Sequence, residues 1–107
     1  TYPAAMEFLL TAEAFPASRA LELGLINEIV APEQLVDRAL EWAARICANA
    51  PLAVQGTKES VLRGLAGTLD EAYAIEAEIS KAIFASEDAK EGPRAFKEKR
   101  PPIWQGR

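Results

Sequence analysis

The sequence predicts a mainly α-helical chain with at most one short strand, near residues 26–30. Three observations carry this. From Leu35 onward, apolar residues return at helical spacing, as in Leu35, Ala39, Trp42 and Ile46. Helix-start chemistry punctuates the runs: Pro32, Pro51, Thr68 with Glu71, and Ser86 with Glu87 and Asp88. Only one segment, Leu25-Ile26-Asn27-Glu28-Ile29-Val30, is rich enough in β-branched residues to read as a strand.

A short helix is expected over Ala4–Leu10. A second follows Pro16 and runs from Ala17 to Leu23, with Gly24 placed where a left-handed residue closes a helix. The strand candidate comes next and stops at Pro32. One strand cannot satisfy its own backbone groups, so its partners would lie in another segment or another chain. Pro32 and Glu33 suit the first turn of the next helix. That helix ends at Asn49-Ala50-Pro51, because the residue before a proline is driven out of helical conformation. Pro51 opens a helix with Val54, Val61 and Leu65 on one face and Gly64 and Gly67 at its end.

Thr68-Leu69-Asp70-Glu71 is a capping box, in which the threonine hydroxyl and the glutamate carboxylate each accept from the other's backbone amide. The helix behind it carries two stripes, Tyr73, Ala77, Ser80 and Phe84, and Ala72, Ile75, Ile79 and Ile83. A helix apolar over most of its girth is normally buried between two layers. The second layer is either another subunit or the rest of a bundle built by this chain. Ser86-Glu87-Asp88 caps the following helix. Gly92-Pro93 is expected to interrupt it, leaving Pro93–Lys99 as a last short helix ended by Pro101-Pro102, and Trp104 reads as a packing anchor. A seam at Ala31-Pro32 divides the chain into segments 1–31 and 32–107.

The length of 107 residues suits one small domain or a piece of a larger one. A chain this short buries a small share of its surface, so its apolar faces call for a partner. It begins Thr1-Tyr2-Pro3 with no initiator methionine, which fits a piece of a longer protein or a processed product. The net charge of −4 favours neither nucleic acid nor a membrane surface. Charge is uneven, however: Lys90, Arg94, Lys97, Lys99, Arg100 and Arg107 face only Glu91 and Glu98 near the end of an otherwise acidic chain. Two readings stand, an anionic ligand or a solvated helix end. The apolar runs are too short to span a bilayer. The lone cysteine, Cys47, excludes an intrachain disulfide and fits a reducing, cytoplasmic setting. Its apolar helical surroundings read as those of a buried structural thiol.

There is no histidine, which excludes a histidine base, a histidine metal ligand and a Ser-His triad. There is no cysteine cluster for zinc, and the six glycines are scattered as helix terminators rather than gathered in a phosphate loop. No metal site and no bound cofactor are therefore expected. Glu76 is the one carboxylate that falls between apolar stripes, and a buried, hydrogen-bonded structural role is preferred for it over a catalytic one.

Several segments, in order, resemble the C-terminal third of the crotonase (enoyl-CoA hydratase/isomerase) family. Ala5-Met6-Glu7-Phe8-Leu9-Leu10-Thr11 resembles its helix entering an LTG turn, and Ala20-Leu21-Glu22-Leu23-Gly24-Leu25-Ile26-Asn27 its AL.LGLVN segment. Pro51 followed by Lys58 resembles its P.A....K helix. Most specific is Ser86-Glu87-Asp88-Ala89-Lys90-Glu91-Gly92-Pro93-Arg94-Ala95-Phe96 followed by Glu98-Lys99-Arg100-Pro101, which is similar to the family ending SED..EG..AF.EKR.P. Ala12 stands where the family often has glycine, and Pro16 where it often has serine or threonine.

The resemblance implies the C-terminal helical, trimerisation segment of a crotonase-like α/β spiral fold, with residues 1–31 ending the spiral core and 32–107 forming a helical oligomerisation and lid domain. It implies an enoyl-CoA hydratase, with enoyl-CoA isomerase or another branch as alternatives. The preceding spiral domain would supply the oxyanion-hole amides and the acid and base carboxylates, so no catalytic residue is assigned to this chain. Coenzyme A would enter as the thioester part of the substrate, not as a bound cofactor. The implied partners are that spiral domain, an acyl-CoA, and further copies of the chain in a homotrimer or hexamer. Phe96 and Lys99 match positions that approach the coenzyme A nucleotide, an aromatic face for adenine and an ammonium for phosphate. The competing reading makes Phe96 the apolar anchor of the last helix and Lys99 its dipole partner. Outside the family, the alternative is a non-catalytic helical interaction domain.

Overall fold

Every regular element is helical. The computed structural model describes residues 1–107 and holds α1 (Tyr2–Thr11), α2 (Ala17–Glu22), a single 3-10 turn (Pro32–Gln34), α3 (Leu35–Cys47), α4 (Pro51–Gly64), α5 (Leu69–Phe84) and α6 (Glu87–Glu98). Contacts divide the chain into two units, Thr1–Leu40 and Glu41–Arg107. No helix is long and apolar enough to cross a membrane.

In the first unit, α1 begins two residues earlier than expected because Pro3 sits in its first turn, where a missing N–H costs nothing. Its end is left-handed at Ala12, φ 51°, a conformation that glycine adopts without strain. Phe8 meets Phe15 edge to face, with ring centroids 4.7 Å apart. α2 closes as expected on Gly24, φ +73°. The expected strand does not form: residues 26–30 belong to no ladder. Their β-branched side chains supply propensity, but this chain offers no second strand to receive the backbone bonds. The segment is tied down by its charge instead, since Arg38 Nε donates to both Glu28 carboxylate oxygens at 2.8 and 3.0 Å.

The second unit is organised around an antiparallel hairpin of α4 and α5. Pro51 opens α4 at the position where proline is favoured. Gly56 lets the helices approach closely: a Cβ there would lie 2.5 Å from Ile83 Cδ1 and 2.9 Å from Ile79 Cγ2. The expected capping box is present, with Thr68 N donating to Glu71 Oε2 at 2.7 Å and Glu71 N donating to Thr68 Oγ1 at 3.3 Å. The Thr68 amide and then the Thr68 hydroxyl, which donates to Glu71 Oε2 at 2.8 Å, hold the Glu71 carboxyl below its ordinary pKa. Of the two stripes on α5, the isoleucines face α4 and are half-buried, whereas Tyr73 and Phe84 stay 61% and 78% exposed.

α6 runs unbroken through Pro93, contrary to the interruption expected at Gly92-Pro93. Proline clashes with the backbone N–H and the Cβ of the residue before it, and Gly92 removes the Cβ part of that clash. One backbone bond is forgone and the helix continues. Ser86 caps it as expected, accepting from Ala89 N at 3.1 Å.

The C-terminal tail then folds back along α6. Asp88, only 3% exposed, accepts from Gln105 N at 2.7 Å and from Gly106 N at 2.8 Å. The Arg107 carbonyl accepts from Glu87 N at 2.7 Å, satisfying a helix-start amide that has no partner inside the helix. Glu91 takes the Arg100 guanidinium as a two-pronged pair and accepts from Ile103 N at 2.9 Å. Trp104 is the packing anchor expected: its ring covers Gly92, and its Nε1 donates to the Ala48 carbonyl at 2.8 Å.

The accessible surface totals 8734 Å² for 11.6 kDa. A folded monomer of that mass exposes about 5,800 Å². The surplus includes large apolar side chains on most helices, among them Leu10, Leu35, Val36, Leu62, Leu65 and Phe84.

The Arg100 guanidinium, then the Ile103 amide, draw the Glu91 carboxyl down to about 2. A carboxylate lowered on folding stabilises the native state above its unfolded value near 4.5, and that contribution is lost as pH falls toward about 2. The unfolding temperatures of the full-length protein and its Glu91→Gln variant are expected to differ most above about pH 4.5 and to converge as pH approaches 2. A gap independent of pH over that window would contradict the assignment.

Candidate functional site

The site expected from sequence lies at the last turn of α6. Lys99 N donates to the Phe96 carbonyl at 3.2 Å and Arg100 N to the Ala95 carbonyl at 3.1 Å, the two-bond closure in which one residue turns left-handed. That residue is Lys99, φ 53°. Phe96 and Lys99 are thus brought onto one turn. Phe96 is 86% exposed, so it does not anchor α6 within this chain. Its ring is open to stack on a planar group.

The basic character of the tail is largely internal. Lys90 pairs with Glu87 at 2.8 Å and holds that carboxyl below its ordinary pKa. Arg100 spends its donors on Glu91, on Glu98 at 2.6 Å and on the Pro101 carbonyl at 3.1 Å. Arg107 donates to the Gln105 side chain at 2.9 Å. Lys97 and Lys99 form no ion pair and stay exposed, leaving their ammonium groups open to an anion. Some of the tail's cations are thus consumed in pairs at the helix end, while Lys97 and Lys99 carry no ion pair.

Two other sequence expectations are corrected. Cys47 is exposed, not buried. Glu76 is exposed too, with no hydrogen-bond partner, in an open groove lined by Gly56, Thr57, Ser60, Ile79 and Ile83. Helical spacing places both residues beside apolar neighbours, but within this chain those faces stay uncovered. No group of three or more acidic or cysteine side chains is gathered where a metal would be held. Sequence reasoning missed the roles of Asp88, Glu91 and Arg100. Asp88 read as a helix-start charge and Glu91 as a counter-charge; Glu91 and Arg100 both fall in the family-like ending, whereas no sequence signal joined Asp88 to Gln105 and Gly106.

Residues 2–107 match the profile of the enoyl-CoA hydratase/isomerase family. The chain is 44% identical over 106 residues to enoyl-CoA hydratase EchA19 of Mycobacterium tuberculosis, covering 99% of this chain and 40% of that protein. It is 40% identical to the short-chain-enoyl-CoA hydratase of Clostridium acetobutylicum, covering 90% of this chain and 37% of that protein. The crystal structure of a probable enoyl-CoA hydratase/isomerase from Mycobacterium abscessus superposes with a TM-score of 0.91 at 50% identity, over 99% of this chain and 42% of that one. The chain therefore spans about two fifths of the length of the relatives it matches. With the family profile matched from Tyr2 to Arg107, this chain belongs to the enoyl-CoA hydratase/isomerase family.

Proposed function

We propose that this chain is the C-terminal part of an enoyl-CoA hydratase, which adds water reversibly to 2-enoyl-CoA thioesters. Its own share of the work is assembly and closure of the coenzyme A site. The observation that carries this reading is the last turn of α6, where an exposed Phe96 ring and an unpaired Lys99 sit together in a chain of this family. A flat aromatic face suits adenine, and an ammonium free of carboxylate partners suits phosphate. The relatives' names support hydration over isomerisation: two are enoyl-CoA hydratases, and the carnitinyl-CoA dehydratase of Salmonella is 37% identical over 105 residues.

The acid, the base and the oxyanion-hole donors are assigned to a preceding spiral domain. The chain has no histidine, and its one inter-stripe carboxylate, Glu76, is exposed and unpartnered. Assembly is assigned to the uncovered apolar faces. The Tyr73 and Phe84 stripe of α5, with the surplus of exposed surface, suits burial against the spiral domain and against other copies in a trimer or hexamer.

Three outcomes are expected. In the full-length enzyme, Lys99→Ala raises KM for an enoyl-CoA by about three- to tenfold and leaves kcat within about twofold, since binding is weakened equally in ground and transition states. An unchanged KM in steady-state assays would remove Lys99 from the site. The isolated 107-residue chain does not hydrate crotonyl-CoA, followed as loss of enoyl absorbance, and turnover by it would show that the chemistry lies within these residues. Sedimentation of the full-length protein gives the mass of about three or six chains, and a monomer at working concentration would sink the assembly role.

A further inference from the structure

Two helices of this chain end in the same way. After α2, Gly24 N donates to Leu21 O at 3.0 Å and Leu25 N to Ala20 O at 2.9 Å. After α6, Lys99 N donates to Phe96 O and Arg100 N to Ala95 O with the same residue spacing. Such a closure needs one left-handed residue, which glycine provides without strain and any side chain provides at a cost. α2 uses Gly24 at φ +73°, whereas α6 uses Lys99 at φ 53°. Strained backbone of this kind persists where its surroundings over-determine it.

The surroundings here are the next side chain. The Arg100 guanidinium reaches back to both oxygens of Glu91, places Nε on Glu98 at 2.6 Å, and sets Nη1 on the Pro101 carbonyl at 3.1 Å. Glu91 is itself fixed by Ile103 N at 2.9 Å. The residue after the left-handed position is thus locked to the helix behind it and to the tail ahead of it. Each arm of the guanidinium is occupied, so Arg100 is poorly placed to meet a ligand, while the neighbouring Lys99 has no ion-pair partner.

We infer that Arg100, through its fork on Glu91 and its bond to Glu98, is a positioning residue for coenzyme A binding: it holds Lys99 in the left-handed turn and so fixes where the ammonium meets phosphate. This rests on the reading of Phe96 and Lys99 as coenzyme A contacts.

The test uses the full-length enzyme. Arg100→Lys keeps the charge and loses the fork, and Arg100→Gln loses both. Each is expected to raise KM for an enoyl-CoA by about three- to tenfold with kcat within about twofold. In a Lys99→Ala background, Arg100→Lys is expected to add no further increase, because its effect passes through Lys99. If Arg100→Gln fails to fold, Arg100→Lys alone decides. An unchanged KM in Arg100→Lys overturns the inference, as does an equal increase with and without Lys99. A fall in kcat at constant KM overturns it too, since that marks a general structural role. Lys99→Ala with no effect on KM is a separate failure, which removes the coenzyme A reading on which the inference stands.

Discussion

Two carboxylates one helical turn apart, Asp88 and Glu91, hold the end of this chain in place. Asp88 is almost wholly buried and would be costly there without partners, and the Gln105 and Gly106 amides supply them. Glu91 is met by a guanidinium and a third tail amide. The arrangement is reciprocal. The tail satisfies the acidic side chains of α6, and its last carbonyl satisfies an amide at the start of that helix. With the tail fixed, Trp104 reaches the end of α3 at Ala48, and the last turn of α6 acquires a defined shape.

That last turn is where fold and proposed function meet. The left-handed Lys99 is a local cost carried by a non-local bond, the Glu91 to Arg100 pair. An exposed aromatic ring beside it makes the same point from the apolar side. Phe96 has no role in holding this chain together, so its place at the helix end calls for an explanation outside the chain. Coenzyme A is the explanation proposed, with adenine for the ring and phosphate for the ammonium.

The uncovered apolar surface is the second constraint. α5 shows it most clearly: one stripe packs on α4 through the gap left by Gly56, and the other leaves Tyr73 and Phe84 largely exposed. The hydrophobic effect disfavours leaving such a stripe in water. The proposed assembly role follows from that imbalance, joined to membership of a family whose matched relatives are more than twice as long.

The sequence by itself determined what acts within about one turn of helix. Gly24 closing α2, Pro51 opening α4, the Thr68 and Glu71 box and the Ser86 cap all stand as read, because each bond joins near neighbours. The family-like segments, in order from Ala5 to Pro101, were enough to place the chain in its family. Only the tertiary structure decided the rest. It left residues 26–30 without a ladder, since β-propensity supplies no partner strand. It carried α6 through Pro93, where Gly92 offers the ring no Cβ to clash with. It exposed Cys47 and Glu76, which periodicity alone set beside apolar neighbours, and it exposed Phe96, the alternative anchor of the last helix. It gave Asp88 its partners 17 and 18 residues away. Burial and pairing at such separations depend on where the chain returns in space, and spacing along a sequence holds no record of that.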